Sequence, residues 1–124
     1  KYHNEIDRTI KTENVTVILS IHSFNPIFKK KKRFIEFGIL SNEDKNLSSI
    51  IIDQLRSQKL NVGDNKPYEG NLIGDSMHRH GLRNKLPHAL IEVRNDLLSN
   101  PTKIKRVSQL LYKTIVNSLK KLAS

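Results

Sequence analysis

The sequence contains no cysteine. That excludes a disulfide framework, a thiolate nucleophile and a cysteine zinc site, so any metal must be held by His, Asp or Glu. Aromatic residues make up 6% of the 124 positions, and 12 acidic residues stand against 22 Lys and Arg, a formal net charge of +10. Such a surplus first suggests nucleic acid. Modules that bind it, however, gather their cations with aromatic stacking platforms on one face, and this chain has few aromatics. A nucleic-acid partner is therefore not expected. No apolar run approaches the roughly 18 residues that cross a bilayer. The longest, residues 15–21, is broken by Thr16 and Ser20, so a soluble chain is expected. There is no initiating methionine and no signal-like apolar stretch in residues 1–8, so the chain reads as a processed product or a fragment. Absence of cysteine is compatible with the cytoplasm. Phosphate-binding glycine loops, dinucleotide fingerprints and serine nucleophile elbows are also missing.

A hydrophobic fraction of 36% suffices for one domain with a single core. Residues 15–21 are β-branched and continuous, which predicts a strand covered on both faces. Residues 34–40 predict a second strand. Ser41 and Asp44 have the spacing of a capping box, so a helix should begin there and end near Lys59, with Leu47, Ile50, Ile51 and Leu55 on its inner face. Residues 62–74, rich in Gly, Asn and Asp, read as a loop; residues 76–83 suggest a short helix, and residues 89–93 a compact strand. Asn100 and Pro101 then open a helix with Ile104, Val107, Leu111, Ile115, Leu119 and Leu122 on one face. The order argues for an α/β layered domain. The basic run 29–33 falls where a hairpin or loop tip is expected.

Two residues carry chemistry above the rest. His22 follows the first strand at the position where open α/β sheets place their ligand crevice. Glu92 lies among apolar neighbours in the strand 89–93, and a buried carboxylate is costly unless it is paired or works on a metal or water. The alternative for Glu92 is an ion pair with Arg94, two residues on and on the same face. His78 and His80 form a His-x-His pair, while Asp64, Asn65 and Tyr68 crowd the glycine-containing loop with polar groups.

Several of these features recur together in His22-Ser-Phe-Asn-Pro26, Arg33 with Gly38 five residues later, Val62-Gly-Asp-Asn-Lys-Pro-Tyr68, His80, and Ile91-Glu-Val-Arg-Asn-Asp-Leu97. In order and spacing these blocks resemble the N-formylglutamate amidohydrolase family. The resemblance runs from Tyr2-His3 to the last helix and covers the second half of a family domain. A family first half carries a strand followed by an acidic residue, histidine and glycine, and none of these is found here. Asn95 and Phe34 depart from the family's usual glutamine and proline, which puts substrate detail in doubt.

The resemblance implies a fold similar to zinc carboxypeptidases: an α/β three-layer sandwich with a mixed, mostly parallel sheet, of which residues 1–124 form the carboxyl-terminal part. It implies zinc as cofactor, His22 as a metal ligand and Glu92 as the carboxylate that activates water. Arg33 and Arg94 are implied as holders of substrate carboxylates, and Asn65, Tyr68 and His80 as pocket lining or oxyanion support. The implied reaction is hydrolysis of an N-acyl amino acid, N-formyl-L-glutamate to L-glutamate and formate, as in histidine degradation. With the other ligands missing, this chain alone is expected to be inactive and to self-associate through the surface left by the absent half.

Overall fold

The computed structural model describes residues 2–41, 44–66, 80–81 and 85–124. Among them, helix α1 (Tyr2–Thr12) precedes strand β1 (Ile18–Phe24), a small hairpin of β2 (Ile27–Phe28) and β3 (Lys31–Lys32), strand β4 (Phe37–Leu40), helix α2 (Asn46–Arg56), strands β5 (Val62–Asp64) and β6 (His88–Arg94), a 3-10 turn (Asn95–Leu98) and helix α3 (Pro101–Ala123). The main sheet has the order β1-β6-β4-β5. β1 pairs with β6 and β4 with β5 in parallel, whereas β4 and β6 run antiparallel. This is the expected mixed, mostly parallel α/β sheet.

Strand alternation divides β6 cleanly. Ala89, Ile91 and Val93 turn to one face, where Phe37 and Ile39 of β4 join Leu47, Ile51, Ile52 and Leu55 of α2 and Val107 and Leu111 of α3 in the core. His88, Leu90, Glu92 and Arg94 turn to the other. There Gly81 lies so close to the His88 ring that an added Cβ would stand 2.3 Å from it. The adjoining His80 bonds to α1, which is thereby held on the side opposite α2 and α3.

α1 was not anticipated. Its half-buried stripe is His3, Ile6, Asp7 and Ile10, correctly spaced for a helix but half polar, so the apolar period is hidden. Residues 62–64 form β5, not the start of a loop, and the predicted helix 76–83 lies almost wholly outside the described residues. α2 begins after Lys45, without a side-chain cap. The predicted capping box does not form, because the backbone N–H of Ser41 donates instead to the Asn65 side chain at 2.9 Å. α2 also stops at Arg56; Lys59 beyond it has a left-handed φ of 62°.

At α3 the expected start holds: the Asn100 side chain accepts from the Lys103 backbone N–H at 2.9 Å, with Pro101 in the first turn. Its inner face is rotated from the expected one, however. Val107, Leu111, Thr114 and Ser118 are buried, while Ile104 is 46% exposed. Two small hydroxyl residues occupy positions that an apolar count passes over.

β1 differs most from expectation. It runs from Ile18 to Phe24 and not over residues 15–21, it is an edge strand of the described sheet, and Ile21 is 57% exposed. It is therefore not covered on both faces. A cleft of about 820 Å³ opens between β1 and α3, lined chiefly by Ile21, Val93, Val107, Leu111 and Tyr112. No helix among the described residues is long and apolar enough to cross a membrane.

Candidate functional site

His22 and Glu92 are Cα partners on the adjacent parallel strands β1 and β6. In-register neighbours on parallel strands direct their side chains to the same face, so the two meet on the side away from the core. His22 lies within β1 and not beyond its end, as its sequence position suggested, because the strand continues to Phe24. The His22 ring is exposed, with Nε2 3.0 Å from Ser20 Oγ.

Glu92 is 7% exposed, and its Oε2 is buried with no hydrogen-bond partner among the described residues. Loss of water pushes its carboxyl above the ordinary range, and the nearby His22 ring acts in the opposite direction. A carboxylate so placed has a raised proton affinity and an oxygen that no other described residue engages.

Arg94 does not relieve it. The guanidinium reaches away from Glu92 to Asp96, donating from Nε to Oδ1 at 2.6 Å and from Nη2 to Oδ2 at 3.1 Å. Its Nη1 donates to the Arg33 carbonyl at 2.8 Å. The ion pair weighed as the alternative for Glu92 is thus made with Asp96. Gly38 of β4 stands opposite Glu92 on its other side and contributes no side chain to crowd it.

The remaining sequence candidates are spread out. Arg33 lies over the Phe24 ring, 5.5 Å from its centroid, and donates to the Asn25 carbonyl at 3.2 Å. Asn65 has a left-handed φ of 55° and caps the end of β4 through Ser41. His80 is fully buried, with Nδ1 3.0 Å from Asp7 Oδ1 and Nε2 2.9 Å from His3 Nδ1. Its partners on α1 lie more than 70 positions away and carry no local signal. Tyr68 and His78 lie outside the described residues.

The sequence profile of the family described as N-formylglutamate amidohydrolase matches residues 1–99. The chain belongs to this family. Among solved structures, that of gene product Atu2144 from Agrobacterium tumefaciens is similar to it at a TM-score of 0.91 and 26% sequence identity, over 98% of this chain and 50% of the other. The amidohydrolase-family chain thus spans about half the length of that solved relative. A search of curated proteins gives no match.

The family is metal-dependent in general, so the fit of these residues to zinc matters. His22 offers an imidazole on an exposed strand position, and beside it stands the unpartnered oxygen of a buried carboxylate. That combination suits a metal-assisted hydrolase. Among the described residues no group of three or more His, Asp or Glu side chains could hold a metal ion. Among the described residues His22 and Glu92 are thus the candidates for such a site, fewer groups than a catalytic zinc requires.

Proposed function

We propose that this chain forms the carboxyl-terminal part of a cytoplasmic zinc amidohydrolase that cleaves the amide of an N-acyl amino acid, with N-formyl-L-glutamate as substrate and L-glutamate and formate as products. The observation that carries the reading is the buried Oε2 of Glu92 beside His22, unpartnered among the described residues, with Arg94 committed elsewhere. A structural carboxylate would have used the guanidinium two residues away.

His22 is the ligand this chain offers. Zinc, when bound, supplies Lewis acidity toward the amide carbonyl and the attacking water. Glu92 takes the proton from that water, which its desolvated carboxylate does readily, and delivers it to the departing nitrogen. Arg33 holds a substrate carboxylate through its guanidinium fork. Arg94 acts through its grip on Arg33 and Asp96 and so positions the loop that carries Arg33. His80, backed by Asp7, is assigned with Asn65 and Tyr68 to the lining of the substrate pocket that the whole domain would form.

The test compares the chain alone with a polypeptide that joins it to the first half of the family domain. A catalytic zinc needs three protein ligands, and one is present here. The chain alone should hold substoichiometric zinc and give no hydrolysis of N-formylglutamate, and the joined polypeptide should gain both. Full zinc occupancy and turnover in the chain alone would overturn the ligand assignment.

A further inference from the structure

Because β1 and β6 are parallel and in register, their carboxyl ends lie at the same end of the sheet. There β1 leads into the hairpin β2–β3, and β6 leads into the 3-10 turn and the start of α3. The topology thereby gathers cations that are far apart in sequence. Lys29, Lys30, Lys31, Lys32 and Arg33 sit on the hairpin, and Lys103, Lys105 and Arg106 on the opening turns of α3. All but the half-buried Arg33 are exposed.

Among the described residues two nearby acids, Asp96, which also feels Lys32, and Glu36, are already engaged in hydrogen bonds. Asp96 is held by the two hydrogen bonds from Arg94, and Glu36 Oε1 accepts from the Asn61 backbone N–H at 3.0 Å. The hairpin is also firmly built at its base. Arg94 grips the Arg33 carbonyl, the Arg33 N–H donates to the Pro26 carbonyl at 2.8 Å, and the Ile27 N–H donates to the Asn25 side chain at 2.9 Å.

Its tip is strained. Lys29 and Lys30 have φ of 50° and 65°, and a two-residue hairpin turn with both positions left-handed is the one that Asn-Gly fills most easily. Lysine at both positions sacrifices local stability and places two ammonium groups at the apex. Exposed lysines would be equally soluble on an unstrained loop.

We propose that the hairpin and the opening of α3 form an anion-binding rim for an N-acylated acidic peptide, whose additional carboxylates extend away from the amide presented to Glu92. This rests on the amidohydrolase reading, which supplies the reason for carboxylate rather than phosphate. N-formylglutamate alone carries two carboxylates, whereas the rim offers eight cations on two elements. Opposite charge at such spacing speeds encounter and holds a chain of acids in register with the site.

The probe is N-formyl-hexaglutamate with a carboxyl-terminal fluorophore, followed by anisotropy on the 124-residue chain. Binding is read without turnover, so failure of hydrolysis and failure of the rim are separate results. Affinity should fall on going to about 0.15 M ionic strength, where exposed charges are screened beyond about 8 Å. Lys29→Asn with Lys30→Gly relieves the turn while removing two charges. It should raise Tm and weaken binding by about tenfold. The fourfold change of Lys29, Lys30, Lys31 and Lys32 to Gln should weaken it further. Lys120→Gln with Lys121→Gln, roughly 25 Å away along α3, should change it by less than about twofold. Equal losses from both ends, no loss in the folded Asn-Gly variant, or tighter binding of an oligothymidylate of equal charge would overturn the proposal.

Discussion

Replacing Arg94 by Gln separates two roles for this residue, since a guanidinium reserved for substrate contributes little to folding, whereas one that holds the loop contributes much. Arg94 is 8% exposed and makes a forked pair with Asp96, whose side chain is 37% exposed. Solvent screening limits that pair to about 1 kcal/mol. The Arg33 carbonyl loses its donor as well, which costs about 1–2 kcal/mol when the group is not fully rehydrated. The sum is about 2–3 kcal/mol, or about 8–12 °C in Tm for a chain of this size. Asp96→Asn should cost about 1 kcal/mol, and a double-mutant cycle in urea should show the two residues coupled by a similar amount. A cycle of Arg94 with Glu92 should show almost none. A loss below about 0.5 kcal/mol for Arg94→Gln, or strong coupling to Glu92, would refute the reasoning and return Arg94 to the substrate or to the buried carboxylate.

Further outcomes follow from buried polar groups. Thr114 Oγ1 is buried without a partner among the described residues, so Thr114→Val should be neutral or stabilising by up to about 1 kcal/mol in urea unfolding, and a clear loss would mean the hydroxyl is engaged. Because the folded-state carboxyl of Glu92 is raised, its contribution to stability is fully present below the ordinary carboxylate range and is lost as pH rises through the raised value. Glu92→Gln should therefore match the parent near the acid end and exceed it at neutral and alkaline pH, as urea midpoints across that range will show. Asp96, lowered chiefly by its hydrogen bond from Arg94, acts in the opposite sense: its stabilisation is present above the ordinary range and fades as pH falls. Asp96→Asn should remove that acid-side dependence.

Much of the fold was legible where burial and period agree. The strand around Glu92, the helix α2 and the capped start of α3 came directly from apolar spacing and from Asn100-Pro101. Elements whose buried face is polar were not. α1 hides its stripe in His3 and Asp7, and α3 turns Thr114 and Ser118 inward where Ile104 seemed the better core residue.

β1 misled for another reason. Its apolar run is that of an interior strand, but this chain matches half of a larger solved fold and leaves β1 at the edge. At the site, the pairing of His22 with Glu92 could be anticipated as a juxtaposition on parallel strands. The choice of Asp96 by Arg94, and of Asp7 and His3 by His80, depends on loop geometry and on contacts distant in sequence that no local pattern encodes.

The central claim is that Glu92 moves the proton while His22 holds the metal. The most direct measurement is zinc content and N-formylglutamate turnover, taken together, in a polypeptide that joins this chain to the first half of the family domain. Glu92→Gln should keep its zinc and lose turnover by about 10²–10⁴-fold, since it removes the base and leaves the ligands in place. His22→Ala should lose zinc and turnover together. Turnover that survives Glu92→Gln, or zinc that survives His22→Ala undiminished, would contradict the account.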